Sequence, residues 1–134
     1  MRKKKMKKLI SIFLSALMLT GCTAGGNSAN TYRQITVDDA VAMMEQETGY
    51  IILDVRRPDE YAAGHIPNAI NVANESIGTS EISKLPDKNQ LILVYCRSGR
   101  RSKEAAEKLV KLGYTNIVEF GGILDWKGET VTGK

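Results

Sequence analysis

The apolar run Leu91-Ile92-Leu93-Val94-Tyr95 leads into Cys96-Arg97-Ser98-Gly99-Arg100-Arg101-Ser102 and then into the alanine-rich helical pattern Lys103-Glu104-Ala105-Ala106-Glu107-Lys108-Leu109. Five apolar residues make a strand rather than a helix. Their unbroken apolarity means that both faces are buried, as in a parallel sheet. Tyr50-Ile51-Ile52-Leu53-Asp54-Val55 is a second run of this kind. Strands that alternate with helices predict an α/β domain with a central parallel sheet and helices on both faces. In such sheets, ligands bind beyond the carboxyl ends of the strands, and both Asp54 and Cys96 fall there.

The intervening segments complete this pattern. Thr36 can cap a helix from Val37 to about Glu47, with Asp39 in its first turn and Gly49 to stop it. Pro58 opens a helical turn from Asp59 to Ala63. Ala69 to Val72 reads as a strand, Glu81 to Leu85 as a short helix ended by Pro86, and Asn116 to Phe120 as the last strand. The helix after Cys96 runs to about Leu112, with Gly113 just past its end. Gly121-Gly122 then turns into a segment carrying Trp126.

The first stretch stands apart from this fold. Arg2, Lys3, Lys4, Lys5, Lys7 and Lys8 precede an apolar segment from Leu9 to Leu19, which is too short for a good membrane span and suits a secretory signal. Leu19-Thr20-Gly21-Cys22 resembles the lipobox of bacterial lipoproteins, in which the signal is cut before a cysteine that is then lipidated. An ordinary signal followed by a chance cysteine is the blander alternative. The expected organisation is a lipoprotein signal over residues 1–21, a small polar tether over 22–30, and one domain over 31–134. Cys22 would carry the lipid and hold the protein to a bacterial membrane, outside the cytoplasm.

Six of the 19 Lys and Arg residues lie in the signal, whereas all 15 Asp and Glu lie after it. The mature chain therefore has 13 basic and 15 acidic residues, a net charge of −2, and gives no case for nucleic-acid binding. With Cys22 acylated, Cys96 is the only thiol, so no disulfide framework is possible. A single thiol kept in an oxidising compartment points to chemistry rather than packing. At the start of a helix, among backbone N–H groups and three arginines, Cys96 should ionise easily and hold an anion nearby.

Three segments together resemble the rhodanese-like domain family. Asp54-Val55-Arg56-Arg57-Pro58-Asp59-Glu60-Tyr61-Ala62-Ala63-Gly64-His65-Ile66-Pro67-Asn68-Ala69-Ile70-Asn71 is similar to its first signature, Cys96 to Ser102 to its active-site loop, and Gly121-Gly122-Ile123-Leu124-Asp125-Trp126 to its C-terminal signature. The resemblance implies a sulfurtransferase in which Cys96 takes sulfane sulfur from a small anionic donor such as thiosulfate. It would carry that sulfur as a persulfide and give it to cyanide or a thiol. A carrier or interaction module with the same fold is an alternative. Arsenate or phosphate chemistry is a weaker one, because phosphate-transferring cysteine enzymes use Cys-x5-Arg and the residue six after Cys96 is Ser102.

On this reading the loop residues Arg97, Ser98, Gly99, Arg100 and Arg101 bind the substrate, through guanidinium groups and through backbone N–H groups. Arg101 could instead turn inward and brace the loop. Gly99 permits a backbone angle that a side chain would forbid. Asp54 and Arg56 belong to the first signature, where Asp54 is expected to support the loop by hydrogen bonding or by pairing an arginine, and not to act as a base. His65 sits in a sequence that resembles a structural turn, and Tyr61 and Trp126 are expected to pack over the sheet. A lone histidine cannot supply a metal site, and no Walker loop, Cys-x-x-Cys pair or dinucleotide fingerprint is present, so neither a metal nor a cofactor is expected. No segment identifies a protein partner.

Overall fold

A computed structural model describes residues 31–134. The expected signal, tether and lipidated Cys22 lie outside the described residues. The elements follow the chain as β1 (Arg33–Gln34), α1 (Val37–Gln46), β2 (Ile51–Asp54), α2 (Pro58–Ala63), β3 (Ile70–Asn71), a 3-10 turn (Asn74–Ser76), β4 (Ile92–Cys96), α3 (Arg100–Lys111), β5 (Ile117–Gly122) and a 3-10 turn (Ile123–Asp125). The five strands form one sheet in the order β1-β5-β4-β2-β3, and every pair is parallel. β4 lies at the centre and all five of its residues are buried, which accounts for its unbroken apolarity.

Alternation along β4 divides the core. Ile92, Val94 and Cys96 face the side covered by Ala105, Ala106 and Leu109 of α3. Leu93 and Tyr95 face the other side, where Val37 and Ala40 of α1 pack with Val118 and Phe120. The period of two thus sends the Cys96 side chain toward α3, beneath the start of that helix.

Local chemistry sets the boundaries. Thr36 Oγ1 accepts the Asp39 N–H at 3.0 Å and caps α1. Pro58 occupies the first turn of α2, and the Glu60 carboxylate accepts the Arg57 N–H at 3.0 Å. Gly113 follows α3 with φ +100°.

Several boundaries differ from the sequence reading. The segment from Glu81 to Leu85 is not a helix: a single turn, closed by the Leu85 N–H on the Ile82 carbonyl at 2.9 Å, is all that forms. Five residues before a proline provide little hydrogen bonding to repay helix nucleation, and burial of Leu85 fixes the turn instead. The strand expected over Ala69 to Val72 is confined to Ile70–Asn71, at the sheet edge. β5 runs two residues further than expected, through Gly122, because Gly122 pairs with Cys96. β1 has no counterpart in the sequence reading, since two exposed residues carry no alternation.

Candidate active site

Cys96 ends β4, and α3 begins four residues later. Gly99 makes this tight connection possible. Its φ is +125°, which side chains rarely adopt, and its N–H donates to Cys96 Sγ at 3.0 Å. The sulfur is only 1% exposed and sits at the floor of a cavity of about 340 Å³ lined by Arg57, Glu75, Arg97, Ser98, Arg100 and Arg101. A larger hollow of about 950 Å³ lies along β3 and is mostly apolar, with no thiol or imidazole in its lining. The smaller cavity, which holds the thiol, is the candidate site.

Four arginines reach the small cavity, and they are not equivalent. Arg101 forms a two-pronged pair with Glu60 of α2, at 2.7 and 3.2 Å, and both side chains are mostly buried. It braces the loop against α2, one of the two roles foreseen for it. Arg100 is largely exposed and pairs with Glu104 one turn along α3. Arg57 pairs with Asp59. Arg97 is exposed and makes no ion pair among the described residues.

Asp54 and Arg56 form a buried pair. Arg56 Nη2 donates to Asp54 Oδ2 at 2.6 Å and to the Gly64 carbonyl at 2.7 Å, and the Arg56 N–H donates to Asp54 Oδ1 at 2.9 Å. Asn71 Nδ2 donates to the carbonyls of both residues. The arrangement locks the end of β2 to the far end of α2, and hence positions Glu60 and Arg57 beside the cavity. Asp54 pairs an arginine, as one reading anticipated, but that arginine is outside the Cys96 loop. His65 is buried, stacked on Tyr61 with its Nδ1 2.9 Å from the Tyr61 carbonyl, and belongs to the turn after α2. Tyr61 and Trp126 pack against the α1-side core.

Sequence reasoning missed four residues here. Arg57 and Glu75 line the cavity from segments remote in sequence. Ser102 Oγ lies 3.5 Å from Cys96 Sγ, and Glu119 Oε2 lies 2.5 Å from Ser102 Oγ. Glu119 carried a visible signal, a single acidic residue inside the apolar run Ile117-Val118-Glu119-Phe120. Such a residue, buried with its strand, must find partners.

Residues 36–129 match the family model for the rhodanese-like domain. The chain belongs to the rhodanese-like domain family. It is 38% identical over 73 residues to the thiosulfate sulfurtransferase PspE of Escherichia coli, a match that covers 54% of this chain and 70% of that protein. It is 33% identical over 107 residues to the thiosulfate sulfurtransferase GlpE of Pseudomonas entomophila, covering 76% of this chain and 94% of the other. The solved structure of a rhodanese with anions from E. coli superimposes with a TM-score of 0.57 at 36% identity, covering 63% of this chain and 99% of that one. Residues 6–23 match the prokaryotic membrane lipoprotein lipid attachment site.

The Glu60–Arg101 pair predicts a pH dependence of stability. The Arg101 guanidinium holds the Glu60 carboxyl down at about 2, from 4.5 ordinarily. A carboxyl depressed in the folded state stabilises the fold above its unfolded value. That stability is lost as pH falls from about 4.5 toward about 2. The contribution at neutral pH is about 2–3 kcal/mol. Urea unfolding of Glu60→Gln should show that deficit at neutral pH and a shallower loss of stability across the acid range than the parent protein. Equal acid dependence in the two proteins would remove Glu60 as its source.

A second expectation concerns Gly122. A Cβ there would lie 1.9 Å from the Arg97 carbonyl oxygen, so the active-site loop packs directly on this backbone. Gly122→Ala must push the loop away, at a cost of about 1–3 kcal/mol. Thermal unfolding should show a lowered midpoint. The alkylation rate of Cys96 should change as well, because the Gly99 N–H shifts with the loop.

Proposed function

We propose that this protein moves sulfane sulfur from thiosulfate or a similar anionic donor to cyanide or a thiol acceptor, through a persulfide on Cys96. The observation that carries the reading is the Cys96 sulfur, held by the Gly99 N–H at the floor of a small cationic cavity. The Cys96 thiolate attacks the outer sulfur of the donor. A Cys96 S–S bond forms, the donor's S–S bond breaks, and sulfite leaves with its electron pair. The acceptor then attacks the terminal sulfur and expels Cys96 as a thiolate, so the two half-reactions alternate.

The arginines divide this work. Arg97, without a carboxylate partner among the described residues, suits the sulfonate end of the donor. Arg101 and Glu60 keep the loop in place. The backbone N–H of Gly99 stabilises negative charge on sulfur and needs no reorganisation to do so. Phosphate chemistry is disfavoured because the side chain six after Cys96 is a buried serine aimed at the sulfur, where a guanidinium would be needed to clamp phosphate. The kinship with thiosulfate sulfurtransferases supports the same assignment.

The proposal extends to cellular placement. Residues 1–21 act as the signal, Cys22 is lipidated, residues 22–30 tether, and the domain over 31–134 works outside the cytoplasm. The lipid attachment match over residues 6–23 supports this. The test of the chemistry is sulfur loading. The detergent-purified chain is incubated with thiosulfate, freed of excess donor, and weighed by mass spectrometry. A gain of one sulfur atom on the Cys96 peptide, released as thiocyanate by cyanide, is the expected result. A folded protein whose Cys96 alkylates but never gains sulfur would overturn thiosulfate as donor.

A further inference from the structure

Ser102 Oγ is surrounded almost wholly by acceptors. Glu119 Oε2 lies at 2.5 Å, the Gly99 carbonyl at 3.0 Å and the Gly121 carbonyl at 3.3 Å, with Cys96 Sγ at 3.5 Å on the remaining side. A serine hydroxyl has one proton to give. The shortest contact and the only charged acceptor are the same, so that proton goes to Glu119. Ser102 then presents a lone pair to Cys96, whose S–H is the one donor to that oxygen among the described residues.

Glu119 is 2% exposed and has partners of its own. The Gly121 N–H donates to its Oε2 at 2.9 Å, and the Lys103 ammonium lies 3.9 Å from its Oε1. Burial, with Glu107 and Glu119 adding to it, pushes the phenol of Tyr32, just before β1, up. Around Cys96 stand Arg101 of α3, the cavity arginines Arg57, Arg97 and Arg100, and the carboxylate of Glu75.

We propose that Glu119 is a positioning residue that acts through Ser102: by engaging the Ser102 hydroxyl proton it leaves Ser102 Oγ as an acceptor that holds the proton on Cys96. This rests on Cys96 being the nucleophile proposed above. When Cys96 ionises for attack, its proton leaves to solvent through the open cavity, while the Ser102 proton stays on the Glu119 side, so the new thiolate gains no donor from Ser102. When the acceptor later expels Cys96 as a thiolate, the sulfur takes a proton back from solvent and again donates to Ser102 Oγ. In the resting state the sulfur stays protonated and slow to oxidise, which an unpaired thiol outside the cytoplasm needs.

The test is the pH profile of Cys96 alkylation by iodoacetamide, followed on the Cys96 peptide of the full-length protein. Glu119→Gln keeps the shape, removes the negative charge, and offers an amide donor to Ser102, whose hydroxyl can then turn to the sulfur. Its profile should move to lower pH, with alkylation roughly tenfold faster in mildly acidic buffer. Ser102→Ala should shift the same way by less, and adding Glu119→Gln to it should have little further effect. Overlapping profiles for the parent and either folded variant would overturn the coupling. An undiminished Glu119→Gln effect in the Ser102→Ala background would overturn the route through Ser102. Neither readout uses a sulfur donor, so failure here leaves sulfur loading standing, and failure of loading leaves this proton network standing.

Discussion

Cys96→Ser protein should fold and carry no sulfur. The substituted hydroxyl can accept the Gly99 N–H and lies within reach of Ser102, so the buried oxygen is not left without partners. The side chain is nearly the same size, and the packing of Ala105 and Ala106 of α3 over that face is kept. The expected loss of stability is about 1 kcal/mol. The chemistry is affected quite differently. A serine hydroxyl is a weak nucleophile without an adjacent base, and in the proposed mechanism every transferred sulfur passes through a bond to Cys96. Loading with thiosulfate should fall below detection in the mass spectrum, while circular dichroism matches the parent protein. Sulfur retained elsewhere on the chain would refute Cys96 as its carrier.

Removal of Asp54 should produce the largest loss of stability of any single substitution considered. The Arg56 side chain is 7% exposed, and Asp54 supplies its charge partner and most of its hydrogen bonds. Without that carboxylate, the Gly64 carbonyl is the one hydrogen-bond acceptor left to this buried cation among the described residues, beside the face of the Tyr95 ring at 5.8 Å, and neither carries a full charge. Leaving one member of a buried pair uncompensated costs about 3–5 kcal/mol. For a domain near 100 residues this lowers the melting temperature by roughly 15 °C or more. Asp54→Ala should show this in a thermal melt, whereas replacing Asp54 and Arg56 together by leucines should recover much of it. Equal losses in the single and double variants would mean that the pair's geometry, and not an orphaned charge, is what matters. Since the pair anchors α2, Glu60 and Arg57 should loosen with it, and the bracing of Arg101 should weaken.

The linear sequence determined the frame of this protein. Two unbroken apolar runs specified central parallel strands, because only a sheet covered on both faces buries every side chain of a strand. The cysteine, the glycine and the helix start that follow Leu91–Tyr95 are local in sequence, so their geometry could be anticipated from backbone preferences and capping. The first signature, the cysteine loop and the final glycine pair resembled one family, to which the chain belongs.

Only the tertiary structure decided which charges meet. Arg101 finds Glu60 across 41 residues, and Ser102 finds Glu119 across 17. Both pairings arise because parallel crossovers bring α2, α3 and β5 to the same end of β4. Asp54 could be expected to pair an arginine, but the choice of Arg56 over the loop arginines depends on burial and distance. The short helix expected near Leu85 failed for the converse reason: a tertiary contact fixed a turn where local propensity was weak. Contacts between neighbours in sequence follow from residue type, whereas contacts across crossovers depend on how the whole sheet is stacked, and that is where this site acquires its electrostatics.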